Sequence, residues 1–178
     1  MRKQIRAARE QGYFVPFYYT VPDGHNPAGF SFSQARRESI LAVMREYGLL
    51  VVEDAPYIYI NYAEEAERPE SFLSLAPEQS VHLFTGSKIG FPGPRVGFLY
   101  SEAVMDISGG ETASLRDLVV TEASSDILFQ NPEALYGLEA LLHDENMLLR
   151  ASLCRLQRTS WPCIGKTGKS CSMGSSES

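Results

Sequence analysis

An α/β fold around a parallel sheet is what the sequence predicts, and three observations predict it. A short continuous apolar run at 49–52 has the length and composition of a strand buried on both faces, and 81–84, interrupted only by His82, reads as another buried strand. Between an aromatic run at 13–20 and the first of these lies a helical stripe, Ile40, Val43, Met44 and Tyr47. Strand, helix, strand is a βαβ unit, and a parallel pair is its economical topology. The chain's 178 residues, 44% hydrophobic and 21% charged, make one ordinary globular domain.

Taken in order, residues 1–11 read as a short helix with exposed Arg, Lys and Gln, stopped by Gly12. FVPFYYT, within 13–20, reads as a strand, and VPDGHNPAG, 21–29, as a loop. Ser31 with Gln34 three residues on has the form of a capping box, and Gly48 ends the helix that follows. The turn-rich GFPGPR precedes a further strand at 96–100. Helices are predicted at 113–123 and 132–142. The second opens on proline and carries Leu135, Leu138, Leu141 and Leu142 on one stripe. No internal repeat is present.

Charge and composition exclude several classes. A net charge of −6 argues against a nucleic-acid surface. No window approaches the roughly 18 consecutive apolar residues of a membrane span, and the Arg-rich start lacks the apolar core of a secretory leader. A cytoplasmic protein without membrane or nucleic-acid partners is the expectation. Residues 1–150 hold twelve basic and twenty-one acidic side chains, whereas 151–178 hold four and one, together with seven serines and all three cysteines. The domain is therefore expected to span 1–149 and the tail, 150–178, to be disordered. Cys154, Cys163 and Cys171 fit no zinc spacing and read as reduced thiols. CIGKTGKS in the tail imitates a phosphate loop, but Cys163 stands at the first glycine and no helix-forming sequence follows. His82, in a buried run, and His143, at a helix end, lack ligand-spaced partners, so no metal site is expected.

Ligands of α/β sheets sit beyond the carboxyl ends of the strands, so the polar residues after each apolar run are the candidates. These are Asn26 after the first run, Asp54 and Tyr57 after the second, and Thr85, Ser87 and Lys88 after the third, with Arg95 in the turn beyond. Apart from Lys3, Lys88 is the only lysine before residue 151, the other ten basic side chains there being Arg. A lysine desolvated behind a buried strand has a lowered pKa and a nucleophilic neutral amine, which points to Schiff-base chemistry. Taken singly, these residues also have bland readings: a surface lysine, a turn Asn, a helix-capping Asp, a packing Tyr and a surface Arg.

YTVPDGHNPAG, VVEDAPY and TGSKIGFPGPRVG, in that order and with gaps of 28 residues from Asn26 to Asp54 and 34 from Asp54 to Lys88, resemble the class I/II aminotransferases of the fold-type I pyridoxal-phosphate (PLP) enzymes. The resemblance runs from about residue 13 to 149. It implies the three-layer, parallel-sheet large domain of that fold, incomplete here, with PLP as cofactor and an amino acid and a 2-oxo acid as substrates. It also implies a homodimer in the full-length form. Asn26 and Tyr57 would bond the cofactor's phenolic oxygen and Asp54 its pyridine nitrogen. Lys88 would form the Schiff base, and Arg95, with the hydroxyls of Thr85 and Ser87, would hold the phosphate.

A buried carboxylate, which Asp54 would supply, keeps such a ring nitrogen protonated, and a forked, permanently charged guanidinium suits a phosphate dianion. Thr85 stands where the family usually has Ser, and Gly86 where it has a bulkier residue. VPDGHNP and EDAPY resemble the branch acting on aromatic amino acids, kynurenine and 2-aminoadipate. GFPGPRVGFLYS resembles aminocyclopropane-carboxylate synthases and valine–pyruvate aminotransferase. A PLP lyase of the synthase type is thus one alternative, and a catalytically silent ligand-sensing or partner-binding module another.

The resemblance covers less than half of a family member, and the tail has the composition of an out-of-frame or alternatively spliced end. The chain alone is expected to be poorly stable and to give no measurable transamination.

Overall fold

The computed structural model describes residues 1–58, 67–88, 92–107, 109–127 and 130–143. The tail, with its three cysteines and CIGKTGKS, lies outside the described residues, as does Leu149. Helix α1 (Arg2–Glu10) is followed by Gly12 in the left-handed region. Strand β1 (Phe17–Thr20) is shorter than the run 13–20, because its first ladder contact is the Pro16 carbonyl accepting from Leu50 N–H. Pro16 itself has no N–H to give a ladder. Helix α2 (Gln34–Tyr47) ends at Gly48 with φ 62°. It is capped by Ser33, whose Oγ accepts from Arg36 N–H at 3.3 Å, and not by Ser31. Ser31 instead accepts from Gly24 N–H, and Gln34 accepts from Glu70 N–H, so the expected capping box does not form.

Strands β2 (Leu50–Asp54), β3 (Ser80–Thr85) and β4 (Gly97–Ser101) complete a four-stranded sheet in the order β1-β2-β3-β4 among the described residues. Strands β1, β2 and β3 are parallel, but β4 returns antiparallel to β3, with Thr85 opposite Gly97. The sheet is thus parallel over β1, β2 and β3 with β4 running against it, and the reason for that reversal is connection length. Residues 86–96 are fewer than the dozen or so that a parallel crossover needs. An alanine Cβ at Gly97 would lie 2.7 Å from the Phe84 carbonyl oxygen, and a ladder backbone cannot yield to it. Gly97→Ala is therefore expected to cost about 1–3 kcal/mol, read as a lowered denaturant midpoint with an unchanged slope.

A short helix α3 (Phe72–Leu75) precedes β3. After β4 comes an antiparallel hairpin of β5 (Val104–Asp106) and β6 (Thr112–Ser114), where no strand was predicted. Helix α4 (Leu115–Asp126) starts two residues after the predicted 113, capped by Ser114, and α5 (Pro132–His143) follows. Among the described residues no helix is long and apolar enough to cross a membrane.

The main core lies on one face of the sheet. There Ile40, Leu41, Val43 and Met44 of α2 meet Leu49, Val51, Phe72 and Ala76, with Ile5 anchoring α1. A satellite cluster of Val96, Ala134 and Leu138 holds α5 against Phe84. Strand β2 alternates, Val51 and Glu53 being fully buried and Leu50, Val52 and Asp54 half-buried. It is therefore not covered equally on both faces, and Phe17 and Tyr19 on the Asp54 side are about half exposed.

Candidate active site

Parallel β1, β2 and β3 end at Thr20, Asp54 and Thr85, so the segments after them emerge at one edge of the sheet. The antiparallel β4 begins beside Thr85, and this places Arg95 at that same edge. A parallel β4 would have carried Arg95 to the opposite end. All seven residues expected at the site thus belong to segments that converge there.

Their contacts define two groups. In the first, Ser87 N–H donates to Thr85 Oγ1 at 3.2 Å, and Arg95 Nη1 donates to Ser87 Oγ at 3.2 Å and to the Pro92 carbonyl at 3.4 Å. Arg95 has φ 59°, a left-handed conformation unusual for a residue with a side chain and of the kind that collects at binding sites. In the second, Lys88 Nζ lies 5.8 Å from the centroid of the Tyr57 ring. Gly24 packs on the same tyrosine with φ 59°, and a Cβ there would lie 3.4 Å from Tyr57 Cβ. That contact sets the VPDGHNPAG loop beside Tyr57, with Asn26 exposed two residues further on.

Two expectations need correction. Lys88 is exposed, so the described residues do not supply the desolvation invoked to activate it. Of the two acids in VVEDAPY, the fully buried one is Glu53, whereas Asp54 is half-buried. The strand's period of two turns adjacent residues to opposite faces, which separates them.

Sequence reasoning missed Tyr19. Its hydroxyl donates to Asp54 Oδ2 at 2.5 Å. This hydrogen bond, with lesser help from burial and from the Asp54 charge, pushes the phenol from the ordinary 10.0 up to about 12. Since the raised value favours the protonated phenol, the bond persists through neutral pH and is lost only as pH rises through about 12. Spectrophotometric titration should show a tyrosine ionising near pH 12 that is absent in Tyr19→Phe and moves back toward 10 in Asp54→Ala. A wild-type curve identical to that of Tyr19→Phe would contradict this contact. The clue in the sequence was alternation: Phe17 and Tyr19 share the face of Asp54 in the paired strands.

Also missed was a buried ion cluster on the other face. Arg37 Nη2 meets Asp23 Oδ1 at 2.6 Å, its Nη1 lies 3.6 Å from Glu53 Oε1, and His82 Nδ1 lies 2.8 Å from Glu53 Oε2. Glu53 also accepts from Phe72 N–H at 3.1 Å. His82, set aside as a metal ligand, is instead a member of this cluster through Glu53. The available signal was Arg37 on the apolar stripe of Ile40, Leu41 and Met44, and Glu53 in register with inward-facing Val51.

Comparison with known proteins bears on this arrangement. The aminotransferase tdiD of Emericella nidulans is 35% identical over 95 residues, 49% of this chain and 21% of the relative. The mitochondrial kynurenine/alpha-aminoadipate aminotransferase of Mus musculus is 37% identical over 84 residues, 47% of this chain and 19% of the relative. Among solved structures, the kynurenine aminotransferase of Pyrococcus horikoshii, in complex with PMP, superimposes with a TM-score of 0.66 at 25% identity, over 88% of this chain and 36% of its own. The chain thus spans about a fifth of the length of these curated relatives and about a third of the solved structure. The family profile for aminotransferase class I and II matches residues 21–168, running past Leu149, where the motif resemblance stops. With the α/β fold and the three motif segments meeting at one sheet edge, that match over most of its length means that the chain belongs to the aminotransferase class I and II family.

Proposed function

We propose that the chain carries the cofactor-site segment of a PLP-dependent aminotransferase, an enzyme that moves an amino group between an amino acid and a 2-oxo acid. The observation that carries this reading is the convergence of an acid, a phenol, an amine and an arginine–hydroxyl cluster at one sheet edge.

The donor set fits the group. Tyr19 holds Asp54 Oδ2, and the carboxylate would accept from a protonated ring nitrogen through Oδ1. The Arg95 guanidinium and the hydroxyls of Ser87 and Thr85 make a compact set suited to a phosphate dianion. Tyr57 and Asn26 would bond the phenolic oxygen, and the Lys88 amine would bond the aldehyde. When bound, the cofactor supplies an electron-withdrawing ring that takes up negative charge from the substrate's α-carbon. The residues' task is to hold that ring, keep its nitrogen protonated and present the amine.

The named relatives favour kynurenine or 2-aminoadipate as the substrate class; the motif resemblance adds aromatic amino acids, and a homodimer as the full-length assembly. The experiment is to add PLP, reduce with borohydride and map the modified peptide. Attachment at Lys88 is expected, and attachment spread over Lys3, Lys166 and Lys169 would overturn the reading.

A further inference from the structure

Loop 21–33 is held at both of its ends by one buried side chain. Arg37 has a side chain only 1% exposed, and all three of its nitrogens are used. Nη2 grips Asp23 at the start of the loop at 2.6 Å. Nε donates to the Phe32 carbonyl at the end of the loop at 3.4 Å. Nη1 donates to the Glu70 carbonyl at 3.2 Å and faces Glu53, the residue before Asp54. Inside this clamp the loop closes on itself: Phe32 N–H donates to the Pro22 carbonyl, His25 N–H to Phe30 and Gly29 N–H to His25. Asn26 sits at its tip.

We propose that Asp23 and Arg37 are positioning residues that fix the Asn26 loop relative to Asp54, so that both reach the same bound cofactor; the idea rests on the function proposed above. A guanidinium with two buried carboxylates is an expensive way to fill a core. Apolar side chains of similar volume often stabilise as well or better. What an ion cluster supplies that apolar packing does not is direction, because forked charge-assisted hydrogen bonds admit one arrangement of their partners. Here the partners are the loop that carries one cofactor-bonding residue and the strand that carries another.

Asp23→Asn separates this role from a merely structural one. It keeps the volume, removes the loop's charge and leaves Arg37 facing Glu53, so the core retains a balanced pair. In amide hydrogen exchange on the 178-residue chain, His25, Gly29 and Phe32 are expected to exchange at least about tenfold faster, with α2 and β2 unchanged. Affinity for PLP should fall about tenfold, and adding Asn26→Ala to Asp23→Asn should cost little more, as expected for residues acting as a unit. Unchanged loop exchange would overturn the proposal. So would an equal loss of protection in loop, α2 and β2, which would make the pair a general fold element. So, too, would full additivity of Asp23→Asn and Asn26→Ala in PLP affinity. Faster loop exchange in Asp23→Asn together with a wild-type chain that takes up no PLP would instead count against the proposed function, with the clamp itself still decided by the exchange data.

Discussion

Lys88→Ala is expected to reduce borohydride-fixed PLP on the chain by at least about a hundredfold, leaving only scattered labelling of Lys3, Lys166 and Lys169. Held reacting groups gain effective molarities far above any attainable free concentration, and a hundredfold is the conservative end of that advantage. Because Lys88 is exposed, its selectivity in this chain must come from placement rather than from a buried, desolvated amine. The phosphate cluster of Arg95, Ser87 and Thr85 would bring the aldehyde to it. The measurement is the peptide map of wild type and variant at equal PLP, with non-covalent PLP binding followed in parallel. Binding should survive in Lys88→Ala, since Asp54 and the phosphate cluster are untouched. Equal covalent incorporation in the two chains would remove Lys88 from the site.

The parts of the fold legible in the sequence are those whose signal is local. The 49–52 run, the stripe of α2 and the left-handed Gly48 each fix their element from neighbours within a few residues, and together they give the βαβ unit. The direction of β4 was not legible from its composition, because parallel and antiparallel strands can share the same apolar pattern. It lay in the length of 86–96, which is too short for a crossover. The hairpin of β5 and β6 escaped because each strand has three residues, too few for alternation to register. Ser31 and Ser33 compete for one cap, and the winner depends on whether Gly24 N–H, far off in the folded loop, claims the other hydroxyl.

The site divides in the same way. Asn26, Asp54, Tyr57, Thr85, Ser87, Lys88 and Arg95 were named as candidates because strand ends are where chemistry collects, and strand ends are visible as the limits of apolar runs. Tyr19 lies inside a strand, and Asp23, Arg37 and Glu53 are charged residues at buried positions. Composition alone assigns such residues to solvent. Only pairing between strands shows that Glu53 shares the inward face with Val51 and stands beside His82.

The largest stability loss is expected from Arg37→Met. Removing the guanidinium strands Asp23, with a side chain 8% exposed, and Glu53, at 0%, in a core whose remaining cationic candidate among the described contacts is His82. Breaking a buried pair from one side leaves the partner's desolvation uncompensated and typically costs about 3–5 kcal/mol. A sum that size can exhaust the stability of a small domain, so the variant should be largely unfolded where wild type is folded. Glu53→Gln alone should cost less, because Arg37 keeps Asp23 at 2.6 Å while an amide can still accept from the N–H of Phe72. Combining the two changes tests the cause. If the loss in Arg37→Met comes from stranded charge, then adding Glu53→Gln should recover part of it, giving a double variant more stable than Arg37→Met. Purely additive losses, measured by urea unfolding of wild type, both single variants and the double, would show that packing rather than charge sets the cost of losing Arg37.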